Sequence, residues 1–584
     1  MKWLLTSLAV ALFSTIAIGQ QTKLEGRLVT DAGEPMPNTR VRVAGEHALT
    51  DAQGRFSIPL SPKLGAGKNV VILVEKKNWL INQPLDGEWS IPANATQSLE
   101  VIIVPWGSKA LWTNARIEKE LKQKFDGPGA QIDELARKYG TTLQVTKEAC
   151  DKWATIQNDN GNALKEQASR VEGAEGTRLL SEAVSAYKRT LLVFTRDDRP
   201  QEWATTQHNI GNALQDQGAR AKGPESVRLF GEAAAAYRQA LTIRTREQLP
   251  RQWATTLNDL GNALQGQGVR AEGAEATRLL GEAADAYSQA LTFFTREYAP
   301  PEWAMLQHNL GSALHERGTR TDGPEALKLL GDAVTAYRQA LLVRTREQLP
   351  QQWAVTQNNL GNALQAQGAK AEKSDALRLL HESAAAYRLA LLVFTREQRP
   401  QLWAMTKHNL GSVLQEEGTR ADGSDSQRLL QEAVAVYQEA LLVWTRPQRP
   451  QQWAMAQNNL ARAYFNLEDW TNAAQCYESV LSDDRIDGRF KITLLPMEIA
   501  NLIALKRATE VPGKLKNLIE LLEAQPADFK LPRALEGTKH LIDGSQQFDA
   551  SKAWLLHLFG AMELENRDAM LKEVRAAAES FTPK

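Results

Sequence analysis

The chain has 584 residues, room for several domains, and 43% of them are hydrophobic, as in ordinary soluble globular protein. Lysine plus arginine equals aspartate plus glutamate at 69 each, so the net charge is zero. That balance argues against a nucleic acid or an anionic membrane as partner, since both select basic excess, and it leaves only a local basic patch open.

In chain order the first feature is an export signal. Met1-Lys2 gives a short positive start, and Trp3 to Ile18 is an apolar run broken only by Thr6, Ser7, Ser14 and Thr15. Ala17 and Gly19 place small residues where a signal peptidase needs them for a cut before Gln20. The run is short for a membrane span and no stop-transfer pattern follows, so residues 1–19 are expected to leave, with an uncleaved anchor as the alternative. The mature chain is then expected to be exported, periplasmic or secreted in a bacterium, with no transmembrane segment.

Residues 22–105 read as β structure. Val41 and Val43 alternate with Arg40 and Arg42; Phe56, Ile58 and Leu60 keep the period of two; Val70 to Val74 and Leu99 to Val104 are continuous apolar runs suited to buried strands. Asp31-Ala32-Gly33 and Asp51-Ala52-Gln53-Gly54 are turn signals between them, with the aspartates read as turn-making rather than metal-binding. Short strands at this spacing predict a sandwich. Gly26-Arg27-Leu28-Val29, Asp31, Gly33, Pro35, Pro37, Val41, Val43, Thr50-Asp51, Gly54 and Phe56 together resemble a carboxypeptidase regulatory-like domain, which implies a small transthyretin-like β-sandwich without an active site. Trp79, Trp89 and Trp106 fit packing roles, with a carbohydrate platform as the alternative.

Residues 114–150 are expected to form a helical cap ahead of the array that dominates the chain. Trp153, Trp203, Trp253, Trp303, Trp353, Trp403 and Trp453 stand fifty residues apart without drift, the mark of tandem copies of one structural unit. In the copy from Pro200 to Pro250, Pro200 suits a first helical turn, and Trp203, Ile210 and Leu214 fall near one face. Gly218 is read as the left-handed end of that helix. Gly223-Pro224-Glu225 opens a second helix, along which Leu229, Ala233, Ala236, Tyr237, Ala240 and Leu241 keep helical spacing. Arg228 and Glu232, an i, i+4 pair repeated through the array, suit a solvated face or an inter-repeat bridge rather than a binding site. One such hairpin cannot bury its own faces, so the copies must stack. Cys150 and Cys476 flank the array, which puts them roughly tens of ångströms apart, beyond the ~7 Å Cα separation a disulfide allows, so two unpaired cysteines are expected.

The copies resemble tetratricopeptide repeats. Leu360-Gly361, Leu364, Ser383 or Ala384, Tyr387 and Ala390 follow that family's spacing, stretched from its usual length to fifty residues. The additional residues are read as lying between the two helices, around Gln367 to Asp375, and after the second, around Thr395 to Pro400. Leu460-Ala461, Tyr464, Ala473, Tyr477 and Val480 match the ordinary short form. The fold class expected is mainly α: an α-solenoid of antiparallel helix pairs over residues 151–485, six long repeats and one short, preceded by the small β-sandwich. Residues 486–584 are expected to be a helical C-terminal region, with helices over Ile492 to Arg507, Lys514 to Ala524 and Ala553 to Ala578.

The same resemblance implies that first helices line a concave, peptide-binding groove. Mapped through Leu-Gly, the residues facing it include Asn158, His208, Asn258, His308, Asn358 and His408 in one series, and Asn162, Asn212, Asn262 and Asn362 in another, with Ser312 and Ser412 in the same register. Carboxamides offer donors and acceptors to a peptide backbone whatever its side chains, and the histidines make pH-dependent binding an expectation. The neighbouring Asn209, Asp259, Asn309 and Asn359 are read as structural. No nucleophile elbow, phosphate loop or zinc-type cluster occurs. The function expected is therefore a non-enzymatic scaffold for protein or peptide, with no cofactor or metal. Carbohydrate or peptidoglycan binding through the β-sandwich is one alternative, and a hydrolase site in the C-terminal region is another.

Overall fold

The computed structural model describes residues 23–105 with breaks at 31, 61–67, 77–78, 84–87 and 91–98, then 143–529 continuously, and parts of 531–582. The expected signal over 1–19, the turn residue Asp31, Trp106 and the cap residues 114–142 lie outside the described residues, as do the side chains of Trp79 and Trp89. The chain divides into two compact units, Met1–Leu249 and Pro250–Lys584.

In the first unit, β1 (Lys23–Thr30), β4 (Arg55–Pro59), β6 (Trp79–Gln83) and β8 (Leu99–Pro105) form one sheet in the order β4-β1-β8-β6. A second sheet, β3-β2-β5-β7, is built from β2 (Arg40–Val43), β3 (Glu46–Leu49), β5 (Asn69–Glu75) and β7 (Glu88–Ser90). Leu28, Val41, Val43, Ile58, Ile72, Val101 and Ile103 are fully buried between them, so the sandwich has its own core. One expectation is corrected. The run Val70 to Val74 is not buried throughout: Val71 and Leu73 stand half exposed on the outer face, because that sheet is covered on one side only. Asp51 does make the turn, its Oδ1 accepting from the amides of Gln53 and Arg55 at 2.9 and 2.8 Å, while Gly54 takes φ +75° hard against the carbonyl of Leu28.

The helices of the first unit are α1 (Leu143–Ser169), α2 (Gly173–Thr190), α3 (Pro200–Arg220) and α4 (Gly223–Leu241). The second unit continues with α5 (Pro250–Arg270), α6 (Gly273–Leu291), α7 (Pro300–Thr319), α8 (Gly323–Leu341), α9 (Pro350–Lys370), α10 (Lys373–Ala390), α11 (Pro400–Arg420) and α12 (Gly423–Leu441). Its short hairpin is α13 (Pro450–Asn466) and α14 (Trp470–Leu481), followed by α15 (Gly488–Ala504), α16 (Val511–Glu523), α17 (Lys552–Ala561) and α18 (Arg567–Ser580). Each odd-numbered helix through α13 pairs antiparallel with the next, and within each unit the pairs stack in solenoid fashion as tetratricopeptide-like hairpins; the small β region precedes them in the chain. Within the second unit the first helices α5, α7, α9, α11 and α13 touch in succession and form one row; α1 and α3 do the same in the first unit.

The additional residues sit elsewhere than expected. Only Ala371 and Glu372 separate α9 from α10, so the space between the helices holds almost nothing. The first helices instead run on to 21 residues, as in α3, α5 and α9. Gly218 lies inside α3, not at its end; it is small there because the ring of Phe230 packs 3.0 Å from where a Cβ would stand. The left-handed residue is Gly223, at φ +58°, which opens the second helix, as Gly273, Gly323 and Gly423 do in the second unit. The read-out after the second helix was placed correctly: Thr395 accepts from the amide of Arg399 at 2.9 Å and turns the chain into α11.

Arg178, Arg228 and Arg278 pair with glutamates one turn away on either side, all largely exposed, as a solvated face requires. Both cysteines are free and buried, and burial raises the thiols to about 11 at Cys150 and about 12 at Cys476. Among the described residues no helix is long and apolar enough to cross a membrane. The stretch expected to be helical over Ala553 to Ala578 holds two helices, α17 and α18, and the side chain of Asn566 caps α18 by accepting from the amide of Ala569 at 2.9 Å.

Candidate functional site

The row of first helices is positioned by one repeated contact. Tyr187 and Tyr237 in the first unit, and Tyr287, Tyr337, Tyr387 and Tyr437 in the second, are buried second-helix residues. Each ring crosses the first helix at one glycine, Gly161, Gly211, Gly261, Gly311, Gly361 or Gly411, which follows Leu in the last four copies, Ile210 in the second and Asn160 in the first. A Cβ at Gly161 would stand 2.5 Å from the Tyr187 ring and one at Gly261 2.6 Å from the Tyr287 ring, so no larger residue fits without moving the ring. Passing over glycine carries the hydroxyl to the next residue along the first helix. Tyr187 donates to Asn162 Oδ1 at 2.8 Å and Tyr237 to Asn212 Oδ1 at 2.7 Å. In the second unit Tyr287 donates to Asn262 Oδ1 at 2.8 Å and Tyr387 to Asn362 Oδ1 at 2.6 Å.

These four carboxamides are thus held by their oxygens. Their Nδ2 groups make no hydrogen bond among the described residues, and all four side chains keep some exposure. Where serine replaces asparagine, a glutamine of the preceding first helix reaches it: Gln265 Nε2 donates to Ser312 at 2.7 Å and Gln365 Nε2 to Ser412 at 3.1 Å.

The other series is turned into the stack. In the first unit Asn158 Oδ1 accepts from Asn209 Nδ2 of the following first helix at 3.3 Å. In the second unit Asn258 Oδ1 accepts from Asn309 at 3.2 Å, His308 Nε2 meets Asn359 Nδ2 at 3.5 Å, and His408 Nε2 meets Asn459 Nδ2 at 2.9 Å. Asn358 Oδ1 accepts from Thr406 at 3.2 Å. Asn309 and Asn409 also bond Asn262 and Asn362, both at 3.3 Å, which joins the two series. Asn209, Asn309 and Asn359 therefore tie successive layers together. Asn258, Asn358 and His408 are buried; Asn158, His208 and His308 are partly so.

The histidines sit edge-on to the tyrosines, His208 against Tyr237 and His308 against Tyr337, each with ring centroids 5.4 Å apart. Burial, then the charges of Arg244 and Lys165, lowers His208 to about 4; burial, then Arg344, lowers His308 to about 3; burial also lowers His408. His208 and His308 therefore stay neutral near pH 6.5, where an exposed histidine would titrate.

The cations responsible were missed in the sequence. Phe194, Arg244, Phe294, Arg344, Phe394 and Trp444 occupy one buried position, fifty residues apart, at the end of each second helix. Arg244 Nη2 donates to Thr205 at 3.1 Å and Arg344 Nη1 to Thr356 at 3.0 Å. The hydroxyl of Thr356 also meets His308 Nδ1 at 3.1 Å. The alternation with phenylalanine was the available signal, and it runs in step with the Asn/His alternation.

A tetratricopeptide-repeat family model matches residues 453–483, the hairpin α13–α14. The match spans one repeat, that short hairpin alone. That repeat begins with Trp453 and ends just past α14, whose cap Asp469 accepts from the amide of Asn472 at 3.2 Å. The sequence matches no curated protein. Among solved structures the chain is similar to the C-terminal part of a TPR repeat-containing protein from Cytophaga hutchinsonii, at 10% identity over 58% of this chain and 96% of that one, with a TM-score of 0.33. It is also similar to a Rap protein complexed with competence and sporulation factor, at 13% identity over 69% and 99%, TM-score 0.30. A third is a monomeric IFIT1 mutant with m7Gppp-AAAA, at 12% identity over 80% and 94%, TM-score 0.31.

Proposed function

We propose that this chain is an exported, non-enzymatic scaffold that binds protein or peptide segments along its first helices. The observation that carries the reading is the set of carboxamides at Asn162, Asn212, Asn262 and Asn362. Each is oriented by a tyrosine hydroxyl on its oxygen and presents unused Nδ2 donors. A donor held in place before binding costs little to order, and a peptide carbonyl is the acceptor that recurs along any extended chain. The export signal read at residues 1–19 and the regulatory-like β-sandwich fit a protein of the cell envelope, where the β domain would act as a non-catalytic accessory.

The decisive test keeps the tyrosine contact. Asn212→Asp, Asn262→Asp and Asn362→Asp combined retain an oxygen for each hydroxyl but replace the amide donors with carboxylates, which repel carbonyls. Crosslinking in the native envelope, followed by mass spectrometry, should recover partners from the wild-type chain and lose most of them from the variant. Equal recovery from both, with both folded, would remove the asparagine row from the binding face.

A further inference from the structure

Two exposed positions change character along the array. On the first helices, Thr205 and Thr255 are followed at fifty-residue intervals by Met305, Val355, Met405 and Met455. Just past the second helices, Thr242 and Thr292 are followed by Leu342, Leu392 and Leu442. The threonines show that the fold itself does not demand apolar residues there. In the second unit, Met305, Val355, Met455, Leu342, Leu392 and Leu442 are between 36% and 53% exposed. Both positions lie at the end of the hairpins where second helices finish and first helices start. Met405 and Val443 pack on one cluster there, with Leu442 next in the chain. The six exposed side chains offer roughly 500 Å² of apolar surface, the size that marks an interaction site on a soluble protein.

We propose that this edge of the second unit is a self-association surface whose occupant is a second copy of the same edge, running antiparallel across a two-fold axis. Three features favour a copy over a foreign partner. The row has one apolar pair per hairpin, a spacing set by the stacking of helices, and a second copy presents ridges at the same interval by construction. The linking turns beside Leu342 and Leu392 each carry an adjacent exposed cation and anion, Arg346-Glu347 and Arg396-Glu397; the turn beside Leu442 has Arg446-Pro447 in their place. Reversing a copy about an axis between these two turns sets arginine against glutamate at both of them. None of these four forms an ion pair among the described residues. The net charge of zero removes long-range repulsion between copies. An isologous pairing needs such self-complementarity, and the apolar row with its charged rim approaches the ~800 Å² per partner of a standard interface.

The test uses the full exported chain. Sedimentation velocity over about 1–100 µM should show a monomer–dimer equilibrium. Leu342→Thr, Leu392→Thr and Leu442→Thr combined, which borrow the chain's own solution at Thr242 and Thr292, should weaken that equilibrium at least 100-fold with an unchanged circular dichroism spectrum. Val71→Thr with Leu73→Thr, on the exposed face of the β-sandwich, should leave it intact. A wild-type chain that stays monomeric throughout, or a triple variant that dimerises like wild type, would overturn the proposal. Should the triple variant fail to fold, a photocrosslinking residue at position 392 of the otherwise native chain decides. Crosslinks to the same edge of a second copy support the pairing, and crosslinks elsewhere or none refute it.

Discussion

Arg344 is a buried guanidinium that forms no ion pair among the described residues. It is 8% exposed, its Nη1 donates to the Thr356 hydroxyl at 3.0 Å, its Nε has no hydrogen-bond partner, and burial lowers its basicity. Phe294 and Phe394 fill the same position in neighbouring repeats at 4% and 1% exposure, so the site accepts an aromatic ring without redesign. Arg344→Phe removes the desolvation penalty of an uncompensated ion and gains apolar burial. It forfeits one hydrogen bond to a neutral hydroxyl, worth about 1 kcal/mol. Replacing buried ions by well-packed apolar groups stabilises by about 1–4 kcal/mol where it does so at all, and a net gain of about 2 kcal/mol is expected here. An array need not unfold in one step, so the measurement is native-state hydrogen exchange on α8 and α9, supported by urea unfolding. Protection of both helices should rise by that amount, and the reverse change Phe394→Arg should lower protection of α10 and α11 by about 3–5 kcal/mol. Loss of protection in Arg344→Phe would show that the cation is compensated and would refute the reasoning. Removing it should also raise His308 from about 3, visible in an NMR titration.

His308 lies below its unfolded value of ~6.5, so its contribution is complete above that pH and is lost as pH falls toward 3, by up to ~1.4 kcal/mol per unit as the unfolded chain takes up the proton. His308→Asn, the residue at 258 and 358, should flatten that part of the stability profile measured by urea midpoints between about pH 7 and 4; an unchanged slope would refute the assignment. Gly261→Ala should cost about 1–3 kcal/mol because the Tyr287 ring is 2.6 Å from the new Cβ. Gly281→Ala, which meets only the Arg317 guanidinium at 3.4 Å, should be neutral or stabilise by up to about 1 kcal/mol. Thermal melting of the two variants side by side checks the contrast. Lys514 bonds the fully buried Glu498 at 2.7 Å, so Lys514→Met should destabilise α15 by about 3 kcal/mol, read from exchange of its amides.

The sequence carried the helix pairs because period, Pro starts and Gly openings are all local signals. The tryptophan interval, Pro200 and Gly223 were enough to place α3 and α4. Gly218 misled because two demands produce glycine, a left-handed backbone and the close approach of a ring. Only the packing of Phe230 tells them apart. The same ambiguity shifted the additional residues into a loop that holds just two of them. Asn162, Asn212, Asn262 and Asn362 were found through a motif, but which of their atoms is occupied depends on tyrosines twenty-five residues away. Arg244 and Arg344 escaped notice because an arginine beyond a helix end reads as solvent-facing. Arg244 is met by Thr205 of its own hairpin and Arg344 by Thr356 of the layer that follows, contacts that the residues around each arginine do not announce.

The paired alternation of asparagine with phenylalanine, and of histidine with arginine or tryptophan, makes adjacent layers unlike and alternate layers alike. Excising one fifty-residue copy would set two layers of the same kind next to each other, for instance two histidine-bearing layers without an asparagine-phenylalanine layer between. Excising two consecutive copies would keep the alternation. The natural quantum by which such a chain lengthens or shortens is therefore a hundred residues, and chimeras built on that module should fold where those built on half of it fail.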